Sequence, residues 1–250
     1  SQFNANWSEI LLMFNAQSFG TTDPQFGLDN GFYVFVLPGL KLVLAAVAML
    51  LGVGLVFSVV THVLMGGIRI TMPVNGRGLF SITKRCRRQL GIWLMLNMFA
   101  WAVRQMIGVF DQLTVQGSRI TGASYTAVHA NIPVTFIMAA LTAILGVVLG
   151  IWLMRSHTLE GQASIGVRAS AALKAWRVPV TSIAVVVVVG LVLTVAWPVL
   201  LQRFRVNPNA QEMESTYIQR NIDATRAAYG LDKLKTEQYK VTDKGEQGAL

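Results

Sequence analysis

Little in this chain is charged, and less is acidic. Charged residues make up 13% of 250 positions, twelve of them Asp or Glu, against the quarter or so usual in soluble domains. Cysteine occurs once, as Cys86, so no disulfide can form within the chain. The three histidines, His62, His129 and His157, fall in different expected elements, so no Cys–His metal site is expected, and no cofactor. Every acidic residue lies outside the long apolar runs, which leaves no carboxylate pair inside them. HExxH and GxSxG patterns are also absent. Hydrolytic chemistry needs an activated nucleophile, a carboxylate pair or a metal, so no enzyme activity and no catalytic residue is expected. No internal repeat is evident, and no pair of broken helices of the transporter type.

What the chain has in quantity is uninterrupted apolar sequence, 53% of the whole. About 20 residues of helix cross a bilayer, and four runs reach that length: 39–65, 90–110, 133–154 and 178–201. A helix satisfies its own backbone polar groups in lipid. The expectation is an all-α membrane protein of four transmembrane helices, with short amphipathic helices outside the bilayer. None of the runs has the form of a cleaved signal peptide, and a start at Ser1 rather than Met is expected of a processed product or fragment.

The net charge of +9 is explained by where the basic residues lie. Residues 1–38 have no Lys or Arg; the loop 66–89 has Arg69, Arg77, Lys84, Arg85, Arg87 and Arg88; the loop 111–132 has Arg119 alone; the loop 155–177 has Arg155, Arg168, Lys174 and Arg177. Positive charge favours the cytoplasmic side. The loops 66–89 and 155–177 are therefore expected in the cytoplasm, and 1–38, 111–132 and 202–250 outside it. Three domains follow: an outer segment 1–38, a four-span domain 39–201 and an outer region 202–250. This placement leaves no reason to expect nucleic acid as a partner. The cluster Lys84, Arg85, Arg87 and Arg88 is a topogenic signal and a candidate contact for anionic lipid. In "VNGRGLF" the glycines Gly76 and Gly78 read more simply as a cytoplasmic turn than as a phosphate loop.

Particular residues stand out against this background. Trp7, Ile10, Leu11 and Phe14 recur at helical spacing, which predicts a short helix either lying in the outer interface or packed on the spans. Turn signals in "TTDPQFGLDNG" precede Phe32, Tyr33 and Phe35, which with Phe26 suit head-group depth. Small residues at Ala139, Ala143, Gly146 and Gly150 suit close helix packing. The second span contains Asn97, Arg104 and Gln105, a candidate intramembrane polar site. Arg104 lies about 10 Å of rise from the outward end, near enough to snorkel. After the last span, a helix is expected over about 215–230, with Ser215 as N-cap and Gly230 as its end. Ile218, Ile222, Thr225 and Tyr229 form its apolar stripe, a candidate docking face for the outer surface of the spans, another subunit or a further domain.

The stretches "FGTTDPQFGLDNGFYVFVLP", "GGIRI", "GASYTAVHANIP", "QRFRVNPN" and "YIQRNIDATRAAYGLD", in order over residues 19–232, resemble the bacterial membrane proteins grouped as uncharacterised protein family 0182. The resemblance implies seven spans followed by a large extracytoplasmic domain, of which this chain would be the last four spans and the start of the outer region. It implies no activity, cofactor or catalytic residue. The chain departs from the family at Ala127, where an Asp is usual, at Asp111, Gln112 and Leu113, where a "DRY"-like stretch is usual, and at Thr216, where Pro is favoured.

The expected function is an anchor or scaffold in the bacterial cytoplasmic membrane, with the lipid bilayer and other subunits of a membrane complex as partners. The alternative is a transporter or lipid-handling protein that uses the polar residues of the second span.

Overall fold

A computed structural model of the chain describes residues 7–70, 80–114, 122–156 and 165–231. The loop positions Arg77, Arg119 and His157, the "VNGRGLF" glycines and the polar tail after 231 lie outside them. The described chain is helical except for one small ribbon. Helix α1 (Trp7–Phe14) is followed by a looped segment and then by α2 (Leu37–Leu64). Strands β1 (Ile68–Ile70) and β2 (Phe80–Ile82) pair antiparallel, Ile68 opposite Ile82 and Ile70 opposite Phe80. The remaining helices are α3 (Lys84–Gly108), α4 (Ile132–Arg155), α5 (Ile165–Leu191), α6 (Trp197–Leu201) and α7 (Ala210–Ala228).

Four continuous helical stretches are long and apolar enough to cross a membrane: Phe32–Leu64, Lys84–Leu113, Ala127–Arg155 and Arg177–Val206. The last three contain the expected runs 90–110, 133–154 and 178–201 whole; the first covers 39–65 except Met65, and all four begin before the expected run. Hydropathy marks where a hydrocarbon core would end, whereas backbone hydrogen bonding continues into polar residues. The four helices alternate in direction and stand in a row, α2 against α3, α3 against α4, and α4 against α5. A row leaves two edge helices, and on these the apolar side chains face outward on most sides: Leu50, Phe57 and Leu64 on α2, Val188 and Leu191 on α5. Apolar surface of this extent is foreign to a soluble monomer.

The tightest seam is α3 with α4. A side chain at Gly91 would meet Met154 Cγ at 2.7 Å and the Gly150 carbonyl at 2.9 Å. Gly146 and Gly150 are buried against Met98 and Met95, so the GxxxG step of α4 is used within the chain. The tight approach follows from the missing Cβ atoms, which let dispersion contacts form between backbones.

Proline shapes one end of the row. Pro38, Pro133, Pro198 and Pro208 are each preceded by one π-helical turn, respectively Phe32–Val36, Ala127–Asn131, Val192–Ala196 and Gln202–Val206. A proline ring clashes with the carbonyl four residues back. The residue before each proline instead donates its N–H five residues back: Leu37 to Phe32, Ile132 to Ala127, Trp197 to Val192 and Asn207 to Gln202. The extra residue relieves the clash. All four wide turns lie at the end of the row that carries α1, opposite the β1–β2 ribbon.

Candidate functional site

At this α1 end the loops and helix ends form a built surface. Two carboxylates organise the 18–31 loop. Asp23, buried, accepts the backbone N–H of Gln25 (2.7 Å), Phe26 (2.7 Å) and Leu28 (3.0 Å) and the Tyr33 hydroxyl (2.7 Å). Asp29 accepts the Ser18 hydroxyl (2.5 Å) and the N–H of Gly31 (2.7 Å), Phe19 (3.0 Å) and Gly20 (3.1 Å). Burial pushes the Asp23 carboxyl up, but its hydrogen bonds outweigh that and hold it below the usual carboxylate range. The Ser18 hydroxyl first, then the N–H of Phe19, bring the Asp29 pKa down to about 2. Gly20 and Gly27 stand at φ 69° and 68°, where a side chain is disfavoured.

The aromatic residues of this segment pack on one another. Phe110, just beyond α3, lies 5.0 Å from Phe26 and 5.3 Å from Phe32, edge to face, and Phe19 meets Phe35 at 5.5 Å. Lys41 at the start of α2 pairs with Asp111 at 2.8 Å. The stripe of α1 is mostly outward, with Trp7 60% and Phe14 77% exposed. The helix meets α2 through Glu9 and Met13, which would lie 2.9 Å from a side chain at Gly39.

Helix α7 sits on the turn that leads into α4. Buried Glu214 accepts the N–H of Tyr125 (3.2 Å). Tyr125 stacks on His129 at 4.1 Å and meets Tyr217 edge to face at 6.3 Å, and the Tyr217 hydroxyl is 3.4 Å from His129 Nδ1. Arg220 lies over the Tyr217 ring at 5.5 Å, within cation–π range. Burial pushes the Tyr217 hydroxyl up; Arg220 pulls it back, and Glu214 and Tyr125 add to the rise.

This seat differs from the expected one in two respects. Helix α7 begins at Ala210, with Asn209 before it; Ser215 is inside the helix and donates to the Glu212 carbonyl (2.8 Å). Pro208 and the wide turn before it end the preceding helix early enough for a new one to start there. The seated face runs through Glu214, Tyr217, Ile218 and Asn221, whereas Ile222, Thr225 and Tyr229 are exposed. Polar contacts through Glu214 and Tyr217 set the face, and a stripe read from apolar residues does not register them. Gly230, at φ 68°, ends the helix as expected.

The polar residues of the second span do not converge. The Asn97 amide donates to the Trp93 carbonyl (2.8 Å) and across to Leu51 on α2 (3.2 Å). The Gln105 amide donates to the Thr142 hydroxyl on α4 (3.1 Å). Arg104, about two turns beyond Asn97 on nearly the same face, is exposed. Among the described residues no group of three His, Cys, Asp or Glu could hold a metal.

At the ribbon end, Lys84, Arg85 and Arg88 are exposed, but Arg87 is 1% exposed and donates to the Ser156 carbonyl. Arg87 is therefore removed from the candidate lipid contacts. Its guanidinium meets the carbonyl that follows α4, at a helix C-terminus, where carbonyls carry partial negative charge.

A third feature escaped the sequence reading. Between the 126–131 turn and α6 runs an open groove of about 470 Å³, lined by Thr126, Asn131, Pro198, Val199, Arg203 and Asn207 among others. The Thr126 hydroxyl and the Gln202 side-chain carbonyl bond across it. Its signal in the sequence is the basic pair in "QRFRVNPN", which lies away from the basic loops.

A family model described as uncharacterised protein family (UPF0182) matches residues 1–250. A UPF0182 protein of Bifidobacterium adolescentis is 79% identical over the whole chain, which covers 23% of that protein. UPF0182 proteins of Kocuria rhizophila and Corynebacterium glutamicum are 36% and 34% identical over 98% and 90% of the chain, which covers 22% and 21% of them. The chain thus spans less than a quarter of the length of these relatives. No solved structure matches.

Proposed function

We propose, from the premise that the chain belongs to the uncharacterised family UPF0182, that it is a multi-pass membrane anchor whose α1 end seats extracytoplasmic structure. The observation that carries this reading is the docking of α7 on the turn before α4, through Glu214, Tyr125, Tyr217 and His129. That seat lies opposite the exposed basic residues Lys84, Arg85 and Arg88. Loops 66–89 and 155–177 hold ten Lys or Arg against one in 1–38 and 111–132 together; positive charge in loops favours the cytoplasmic face, so the α7 seat faces outward. The reading has an outer segment 1–38, a four-span domain 39–201 and an outer region from 202. Its partners are the bilayer and protein subunits bound at the exposed flank of α7, with no nucleic acid and no reaction in this segment. That Asn97 bonds toward α2 and Gln105 toward α4 supports the anchor reading over the transport alternative.

Single-cysteine labelling tests it, in the protein as the cell makes it. In a Cys86→Ser background, Thr216→Cys should react with an impermeant maleimide on intact cells, and Arg88→Cys only after permeabilisation. The reverse pattern would overturn the orientation. Crosslinking from Tyr229 that yields no protein adduct under any growth condition would remove the scaffold role.

A further inference from the structure

The groove beside α6 combines three properties seldom found together on a helix row. Its lip is cationic and amide-rich. Arg203 is exposed and forms no ion pair among the described residues. The Gln202 amide donates to Asn207 Oδ1 (3.0 Å), which leaves the Asn207 NH₂ group as a donor at the same lip. Its wall is apolar, made by Pro198 and Val199. Its two sides are tied together by the Thr126–Gln202 hydrogen bond, so the groove is shaped before anything enters it. Wide turns flank it on both sides, at Ala127–Asn131 and at Gln202–Val206.

The level of the groove in the chain matters as much as its chemistry. It sits where the last apolar stretch meets the polar outer segment. Trp197 and Phe204 on the same segment are 47% and 72% exposed, as rings at head-group depth are. Arg203 stands exposed beside this wall, and phosphate is an anion that its planar fork matches bidentately. A soluble anion would leave the apolar wall unused, and an uncharged lipid would leave Arg203 unmatched.

We propose that this groove holds one anionic glycerophospholipid of the outer leaflet, its phosphate on Arg203 and Asn207 and its acyl chain along Pro198 and Val199. The proposal rests on the membrane reading above. It is distinct from the basic cluster at Lys84, which lies at the opposite end of the row.

The test uses the protein as the cell makes it, reconstituted in phosphatidylcholine vesicles doped with phosphatidylglycerol, released in mild detergent and weighed intact. One phosphatidylglycerol should remain bound. Arg203→Gln should lower its retention about tenfold, the scale of a hydrogen bond to a charged group. Val199→Trp, which keeps the charge but fills the wall, should lower it comparably. Arg104→Gln, exposed elsewhere, should not. Equal retention in Arg203→Gln or Val199→Trp, equal loss in Arg104→Gln, equal retention of phosphatidylcholine, or displacement by inorganic phosphate would each overturn the site. Alkaline washing of the membranes reads the underlying premise separately. Protein lost from washed membranes sinks the membrane reading, while protein retained without a phosphatidylglycerol preference sinks the groove alone.

Discussion

The two ends of the helix row solve one problem with opposite charges. At the ribbon end a cation, Arg87, is buried against the C-terminal carbonyl of α4, above a small core of Ile82, Cys86 and Leu90. At the α1 end two anions, Asp23 and Glu214, are buried against backbone N–H groups, and Asp29 gathers four more donors. In each case the buried charge is met by backbone dipoles of opposite polarity. Lys41–Asp111 is the single ion pair among the described residues, and it is partly exposed. Charge-assisted hydrogen bonds to the backbone satisfy two requirements at once, the solvation of the ion and the pairing of an orphan backbone group. A bundle with few charges gains most by spending them this way.

The comparison can be broken at its strongest point first. Asp23→Ala would strand three backbone donors and the Tyr33 hydroxyl, and should cost about 3 kcal/mol, since each buried unsatisfied group costs about 1–3. Hydrogen exchange should rise in 18–33 and remain unchanged in β1 and β2. Arg87→Ala is the mirror experiment. It should cost about 2 kcal/mol, seen as a lower thermal midpoint with exchange confined to the last turn of α4 and the first of α3. If either substitution loosens both ends equally, the ends are one cooperative unit and the contrast fails.

Acid separates the two ends without mutation. Asp23 and Asp29 have carboxyl pKa values depressed on folding, so the stabilisation they give is fully present above the unfolded value near 3.9. It is lost as pH falls through the folded value, about 2 for Asp29. Protection of 18–31, taken relative to the intrinsic exchange rate at each pH, should therefore be constant above about 4 and fall toward about 2. The Arg87 bond is to a backbone carbonyl, so protection at the ribbon end should persist; its parallel loss would show that the carboxylates are not what distinguishes the ends. The smallest effect is expected from Lys41→Met. An exposed pair contributes about 0–1 kcal/mol, and a thermal shift of more than a few degrees would mark Lys41 as part of the cap.

The row of four helices was legible in the sequence because its length scale is imposed from outside: a run such as 133–154 has few alternatives to a spanning helix. The ends were less legible. Asp23 and Asp29 were read as turn residues, which they are. That their carboxylates hold eight donors between them depends on Ser18 and Tyr33 returning to the same place, which no local pattern encodes. For α7 the apolar stripe gives the helix but not the face it seats within this chain, because Glu214 and Tyr217 decide that seat through partners some 90 positions away. Arg87 was grouped with its exposed neighbours, since sequence adjacency does not say which side of a helix first turn meets the end of α4. Asn97 and Gln105, grouped by the sequence as one candidate site, are each committed to a different neighbouring helix.

The four wide turns carry a further consequence. One residue inserted into a helix advances everything beyond it by about 100°. A helical wheel drawn through Pro38, Pro133 or Pro198 is therefore out of phase across the proline, and the face presented on one side of the turn is not the face presented on the other. Each turn works as a fixed rotary coupling between the spans and the surface above them. Deleting a single residue such as Val34, to restore an ideal helix, would leave the spans intact and swing the 18–31 loop away from Phe110.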